Sequence, residues 1–427
     1  MKRIVLSILG LAVLLALGAV LLAWPRAELL PSASPADWAA TPANIARGAY
    51  LARAGDCAAC HTARGGAAYA GGRALDTPFG RLVAPNITPD AATGIGNWRA
   101  DDFWNALHNG IAPGGRLLYP AFPYTNTTKM PRADADALYA YLRSLPPVRR
   151  PNAPHALRFP YDQQWALAGW RLLYFRPGVF VPDPARTPAW NRGAYLVEGP
   201  GHCAACHSAR NGLGASGGML SGGMIASLGW YAPSLTANAE GGLGDWPVPR
   251  IVQLLRTGVA PEGAVFGPMA EVVTHSLQHL SEADVGAMAV YLKSLPATSD
   301  ERTPVPAPPS EELMKTGSRL YEHHCADCHG ADGRGALAGG MPAYPPLAGN
   351  QSLTMEQPVN TIRIVLNGGF PPATAGNPRP FGMPPYSHVL KDDEVAAVVT
   401  YVRNSWGNHT RAVSAVEVNR YRAVPLD

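Results

Sequence analysis

All 6 cysteines of this chain fall in three copies of one pattern: two cysteines three positions apart, with a histidine directly after the second. The copies are Cys57-Ala58-Ala59-Cys60-His61, Cys203-Ala204-Ala205-Cys206-His207 and Cys325-Ala326-Asp327-Cys328-His329. Two thiols at that spacing on a tight turn can each form a thioether to one vinyl group of a haem. The adjacent imidazole can then reach the iron, and this is the attachment signature of haem c. Zinc would need four ligands, as a rule two facing pairs, and three pairs leave one unmatched. Thioredoxin-like redox pairs do not carry a histidine after every copy. The residues therefore predict three haem c groups, with His61, His207 and His329 as proximal iron ligands, and an electron carrier.

Methionine is a frequent sixth ligand opposite such a histidine, where its thioether raises the reduction potential. Met383, in Phe381-Gly382-Met383-Pro384-Pro385, and Met269, in Phe266-Gly267-Pro268-Met269, are the expected distal ligands of the third and second haems. The first repeat departs from this pattern. Phe122, in Tyr119-Pro120-Ala121-Phe122-Pro123-Tyr124, stands where the second repeat has Met269, and phenylalanine cannot ligate iron. Met130 is either the ligand or a core residue, because it aligns with Leu280 and Leu390 just ahead of the last helix. His108 and an open, five-coordinate haem are the remaining options. Trp98 and Trp246 are expected to donate to haem propionates. Arg64 and Arg210, each three residues past a haem histidine, are further donors.

The elements that must position these groups recur with them. Thr41-Pro42-Ala43 leads through Arg47-Gly48-Ala49-Tyr50-Leu51 to the first pentad, and Thr187-Pro188-Ala189 through Arg192-Gly193-Ala194-Tyr195-Leu196 to the second. Gly317 and Tyr321 precede the third in a looser copy. Downstream, Ala84-Pro85-Asn86-Ile87-Thr88 returns as Ala232-Pro233-Ser234-Leu235-Thr236, and Gly94 to Trp98 as Gly242 to Trp246. Each repeat closes with an amphipathic helix, over 134–145, 281–295 and 392–406, with Tyr141, Tyr291 and Tyr401 at matching places. Ser281 with Asp284 is a capping-box-like start. Gly48, Gly193 and Gly317 are expected to let a leading helix cross the closing helix closely, since glycine has no side chain.

A length of 427 residues suggests about three domains. The 45 glycines and 42 prolines imply abundant loops, as where backbone wraps a cofactor. A formal charge of +4 leaves no concentrated basic face for nucleic acid. Behind Lys2 and Arg3, residues 4–24 carry no charge, so 1–30 reads as a signal peptide or a membrane anchor, with the remainder exported. The expected fold is all-α, three tandem class I cytochrome c domains after an N-terminal apolar helix. They span 38–150, 186–298 and 310–410, joined by a packed aromatic linker (151–185) and a flexible one (299–309), and followed by a tail (411–427).

The exported portion resembles the triple-haem cytochrome c subunit of membrane-bound bacterial dehydrogenases of the alcohol, gluconate, sorbitol and fructose type. Trp190 to Gly199 with Gly201-His202-Cys203, Gly267 to Val273, Ala84 to Asp90, Tyr119 to Tyr124, and Tyr401 to Gly407 carry the likeness. That resemblance implies a partner subunit holding pyrroloquinoline quinone, flavin or molybdenum. Electrons would pass through the haems to ubiquinone or a terminal oxidase, at the periplasmic face of the bacterial inner membrane. The chain itself would hold no catalytic site. The rival reading is a haem enzyme, a peroxidase or small-molecule reductase working at an open first haem.

Overall fold

Every repeat begins with a hydroxyl-capped helix. The Thr41 hydroxyl accepts the Asn44 amide at 3.2 Å ahead of helix Pro42–Ala54. Thr187 accepts from Trp190 at 3.2 Å ahead of Pro188–Glu198, and Ser310 from Leu313 at 3.3 Å ahead of Glu311–His324. Pro42 and Pro188 fit because the first turn has no intrahelical acceptor for their missing N–H. The structure is a computed structural model that describes residues 10, 18, 38–238, 241–297, 307–338 and 341–424.

These leading helices cross closing helices Arg132–Ser144, Glu282–Lys293 and Asp392–Val402. The crossing is closest at the expected glycines. A Cβ on Gly48, Gly193 or Gly317 would land inside contact distance of the carbonyl of Ala137, Ala287 or Ala397, respectively. Tyr141, Tyr291 and Tyr401 flank the same crossings. Only glycine allows two helix backbones to meet this tightly. Ser281 accepts the Asp284 amide at 3.1 Å, as its position implied, while the Asp284 carboxylate takes a bidentate pair from Arg192 at 2.8 and 2.7 Å.

Contacts divide the chain into two compact units, residues 1–181 with 198–202, and residues 182–197 with 203–427. In the first, Leu51, Phe103, Trp104, Leu138, Tyr139 and Leu142 form the core. The bridging segment is anchored here: Gln164 exchanges two hydrogen bonds with the Leu117 backbone, at 2.8 and 3.3 Å. Its helix Gln164–Tyr174 buries Leu167 and Ala168 against Ile111 and Leu117.

The second unit holds the second and third repeats together. Asn360 exchanges two hydrogen bonds with the Tyr231 backbone, at 2.9 and 2.7 Å, and the buried Arg363 guanidinium lies 5.0 Å from the Trp230 ring centre. Residues 299–306 of the expected flexible linker lie outside the described residues. The C-terminal segment is more than a tail. Its helix Ala415–Arg422 places Val418, with Val413 before it, in a core with Tyr321, Ile362, Val395 and Val399.

The all-α expectation is corrected. Short antiparallel hairpins punctuate both units: Ala74–Thr77 with Gly80–Val83 and Ala156–Leu157, and Ile111–Ala112 with Arg116–Leu117 in the first. Gly223–Ile225 with Trp230–Ala232, Val259–Ala260 with Gly263–Ala264, and Ala336–Ala338 with Met341–Tyr344 lie in the second. Loops that run out from a haem turn and back must pair their amides and carbonyls, and short ladders do so. The N-terminal apolar stretch, apart from Gly10 and Gly18, lies outside the described residues. The expected N-terminal apolar helix therefore falls outside the described residues, and among the described residues no helix is long and apolar enough to cross a membrane.

Candidate haem-binding turns

Each pentad folds as a single tight turn of helix: Cys57–His61, Cys203–Ala205 running on to His207, and Ala326–His329. In the first two, a residue in the left-handed region sets up the turn, Asp56 at φ 45° and His202 at φ 37°. These are uncommon conformations for residues with a side chain, and they reverse the chain between helix and turn. The third copy does without one, because helix Glu311–His324 ends directly against Cys325 at φ −125°.

The three histidines share one geometry. Nδ1 of His61 donates to the Pro85 carbonyl at 2.8 Å, Nδ1 of His207 to Pro233 at 2.7 Å, and Nδ1 of His329 to Pro345 at 3.1 Å. A proton fixed on Nδ1 leaves Nε2 with its lone pair, the state needed to ligate iron, and orients the ring. Burial pushes all three histidines below the ordinary pKa, which favours the neutral ring. These proline carbonyls were not singled out as functional from the sequence. The recurrence of Ala84-Pro85 as Ala232-Pro233 was the available signal.

The first cysteine of each pair behaves alike in the three turns. None of the six cysteines is in a disulfide, and burial pushes the Cys57 and Cys203 thiols up to about 12 and Cys325 to about 11. A redox-active Cys-x-x-Cys pair has the opposite shift, towards thiolate. Among the described residues no three His, Cys, Asp or Glu side chains converge as a metal cage would require. The donor set fits a covalent haem: two sulfurs and one oriented imidazole nitrogen per turn.

Two arginines brace the turns from different directions. Arg73 Nη1 donates to the Ala59 carbonyl at 2.7 Å, and Arg210 Nη2 to the Ala205 carbonyl at 2.6 Å. Ala59 and Ala205 hold the same place, directly before the second cysteine. Arg210 also donates to Gly214 at 2.8 Å, so its guanidinium serves the turn's backbone. Arg73 carries no motif in sequence, because a hairpin loop brings it to the turn.

On the distal side, Met269 is half-buried in the first turn of helix Pro268–His275. Met383 is half-buried and held by backbone pairing with Gly369, at 2.8 and 3.0 Å. Met130 lies in the first repeat's core, and Phe122 packs against that same cluster, as do Cys57 and Ala58. Leu280 and Leu390, the residues aligned with Met130, are buried too. His108 stacks on Trp104 at 4.5 Å, with Nδ1 donating to the Thr128 carbonyl at 2.9 Å. Trp246 gives its indole N–H to Gln351 at 2.7 Å. Trp98 packs against the first core, and its carbonyl accepts the Tyr139 hydroxyl at 2.5 Å.

Three repeats, one pentad turn apiece and one helix crossing apiece define the class, and the comparison agrees: the cytochrome c family profile matches residues 45–146, 191–296 and 314–406. The chain is 41% identical to the gluconate 2-dehydrogenase cytochrome c subunit of Pantoea cypripedii, across 92% of both chains. It is 38% identical to the cytochrome c subunit of the quinone alcohol dehydrogenase of Gluconacetobacter polyoxogenes, over 90% of this chain and 85% of that one. A nicotinate dehydrogenase subunit of Pseudomonas putida is 42% identical over 91% of this chain, but this chain spans only 32% of that longer protein. The chain belongs to the cytochrome c family, in the branch formed by the cytochrome c subunits of alcohol, gluconate and fructose dehydrogenases.

Proposed function

We propose that this chain binds three haem c groups and serves as the electron-transfer subunit of a dehydrogenase complex. Its partner would be a catalytic subunit carrying pyrroloquinoline quinone, flavin or molybdenum. Its acceptor would be ubiquinone or a terminal oxidase, at the periplasmic face of the bacterial inner membrane. The observation that carries this reading is the threefold repetition of a histidine whose Nδ1 is tied to a proline carbonyl beside a Cys pair. Haem supplies one-electron chemistry when bound; the protein sets its ligands, burial and position.

The chain's own residues have separable tasks. Cys57 and Cys60, Cys203 and Cys206, and Cys325 and Cys328 fasten the macrocycle; His61, His207 and His329 hold the proximal side. Met269 and Met383 supply thioethers for the distal side. Met130 fills the core position that Leu280 and Leu390 fill elsewhere. Pyridine haemochrome assay of the mature chain should give three equivalents, and anaerobic mixing with substrate and the catalytic subunit should reduce all three. Two equivalents or fewer, or no reduction by the partner, would overturn the reading.

A second reading, a haem enzyme open at the first site, is favoured by Phe122 alone, packed against the cluster that Cys57 joins. Phe122→Met distinguishes the two. If the first site lacks a thioether, the variant gains the far-red sulfur-to-iron charge-transfer band of one further haem. Rapid peroxide turnover by the wild type, abolished in the variant, would establish the second reading instead.

A further inference from the structure

Outside the haem turns, large exposed apolar side chains concentrate in the segment bridging the first two repeats. Phe159 is 75% exposed, Trp165 51%, Leu173 63% and Val181 81%, with Tyr161, Leu172, Tyr174 and Val179 also exposed. Their focus is helix Gln164–Tyr174. At 3.6 residues per turn, Leu167, Ala168 and Arg171 share one face, continued by Phe175 just past the helix end. Leu167, Ala168 and Phe175 are buried on that face, and the Arg171 guanidinium lies 4.7 Å from the Phe175 ring centre and 5.2 Å from that of Tyr124. Trp165, Gly169, Leu172 and Leu173 share the opposite face, which points to solvent without one polar side chain. A helix apolar on both faces is not a stable surface element in water alone.

We infer that this outer face lies in the headgroup region of an anionic phospholipid bilayer, as an in-plane helix. The inference deepens the membrane-side location proposed above and rests on it. Charge selects the occupant. Between residues 156 and 181 the charged residues are Arg158, Arg171, Arg176 and a single acidic one, Asp162. Arg176 is exposed at the end of the helix, where it caps the Leu172 and Phe175 carbonyls, both at 2.9 Å. Cations beside an apolar face fit lipid phosphates. The ring chemistry agrees, because Tyr161, Trp165, Trp170 and Tyr174 are the amphipathic aromatics that favour the membrane–water boundary. A protein partner would ordinarily meet polar groups spaced to make about one hydrogen bond per 100–200 Å². The stripe Trp165–Leu172–Leu173 offers none.

Hydrogen exchange on the full-length haem-loaded protein tests this. With vesicles of phosphatidylcholine and phosphatidylglycerol at 7:3, amides within 159–181 should exchange at least tenfold more slowly than without vesicles. In the double variant Leu172→Asp, Leu173→Asp that protection should vanish, with haem content and reduction by the catalytic subunit unchanged. Leu172→Ser with Leu173→Ser serves as the milder pair if the aspartates lower haem content. Unaltered exchange of 159–181 on adding vesicles would sink the inference. So would protection that appears only when the catalytic subunit is added, which would assign the face to a protein. Either result leaves the haem count, and with it the electron-transfer reading, standing.

Discussion

The first two repeats and the third solve the same problem with different amounts of reinforcement. Repeats one and two share a left-handed residue before the first cysteine, an arginine on the carbonyl before the second, and an Arg–Asp pair between leading and closing helices. Among the described residues, repeat three keeps none of these forms. Thr316 and Glu394 stand where the Arg–Asp pair would be, and Glu394 instead accepts the Lys391 amide at 2.8 Å. Arg334 turns to Asp332. What survives in all three is the hydroxyl-capped leading helix, the glycine crossing with its tyrosine, and the histidine tied to proline. The comparison separates the irreducible frame of a haem turn from its bracing.

The sharpest way to break that distinction is at the crossing itself. Gly48→Val, Gly193→Val and Gly317→Val should each destabilise the folded chain by about 3 kcal/mol, since the side chain meets backbone that cannot swing aside. Guanidinium unfolding followed through the haem absorption reads this, and an unchanged midpoint in any one repeat would remove that crossing from the frame. The bracing should cost less. Asp284→Ala breaks a bidentate, half-buried pair and should cost about 1–2 kcal/mol, whereas Glu394→Ala, which loses only a capping contact, should cost about 0.5–1 kcal/mol. Equal losses would show that the two repeats are held alike.

Potential offers a finer measure. Arg73→Leu and Arg210→Leu remove a positive charge beside the first and second haem turns. Each should lower the reduction potential of its own haem by about 40 mV and leave the third unmoved. A redox titration resolving the haems would show this, and a uniform shift of all three would contradict it. The smallest effect concerns pH. Glu417 is held at about 2, chiefly by Arg411, against an ordinary value of 4.5. Its folded pKa lies below the unfolded one, so its stabilisation is present above about 4.5 and fades as the pH falls towards 2. Glu417→Gln should lower stability at pH 7, where the ionised pair is intact, and flatten the loss of stability between about pH 4.5 and 2 that the wild type shows; an identical acid limb would disprove the assignment.

Much of the frame was legible in the residues. The pentads, the Thr-Pro-Ala openings at Thr41 and Thr187, the glycine series and the tyrosines beside it all carry local chemistry that repeats. The hairpins were invisible for a physical reason: strands of two to four residues are too short to show an alternating pattern. Arg73 was missed because its role depends on where a loop folds back. Trp246 has a partner that its local sequence does not show. Its indole suited a carboxylate acceptor, and only the packing of the third repeat against the second brings Gln351 to it.

That packing has a further consequence. Tyr231 and Asn360 clasp each other through both amide groups, Thr374 reaches the Thr257 carbonyl at 3.1 Å, and Arg363 is wholly enclosed against Trp230. A protease that nicked the chain between these two repeats would not release an independent haem carrier. The fragments would co-migrate, and a third repeat made alone would bare to water the Arg363 guanidinium that Trp230 now covers. Modularity in the genetic sense, copy after copy, has been traded here for a fused pair that must mature together.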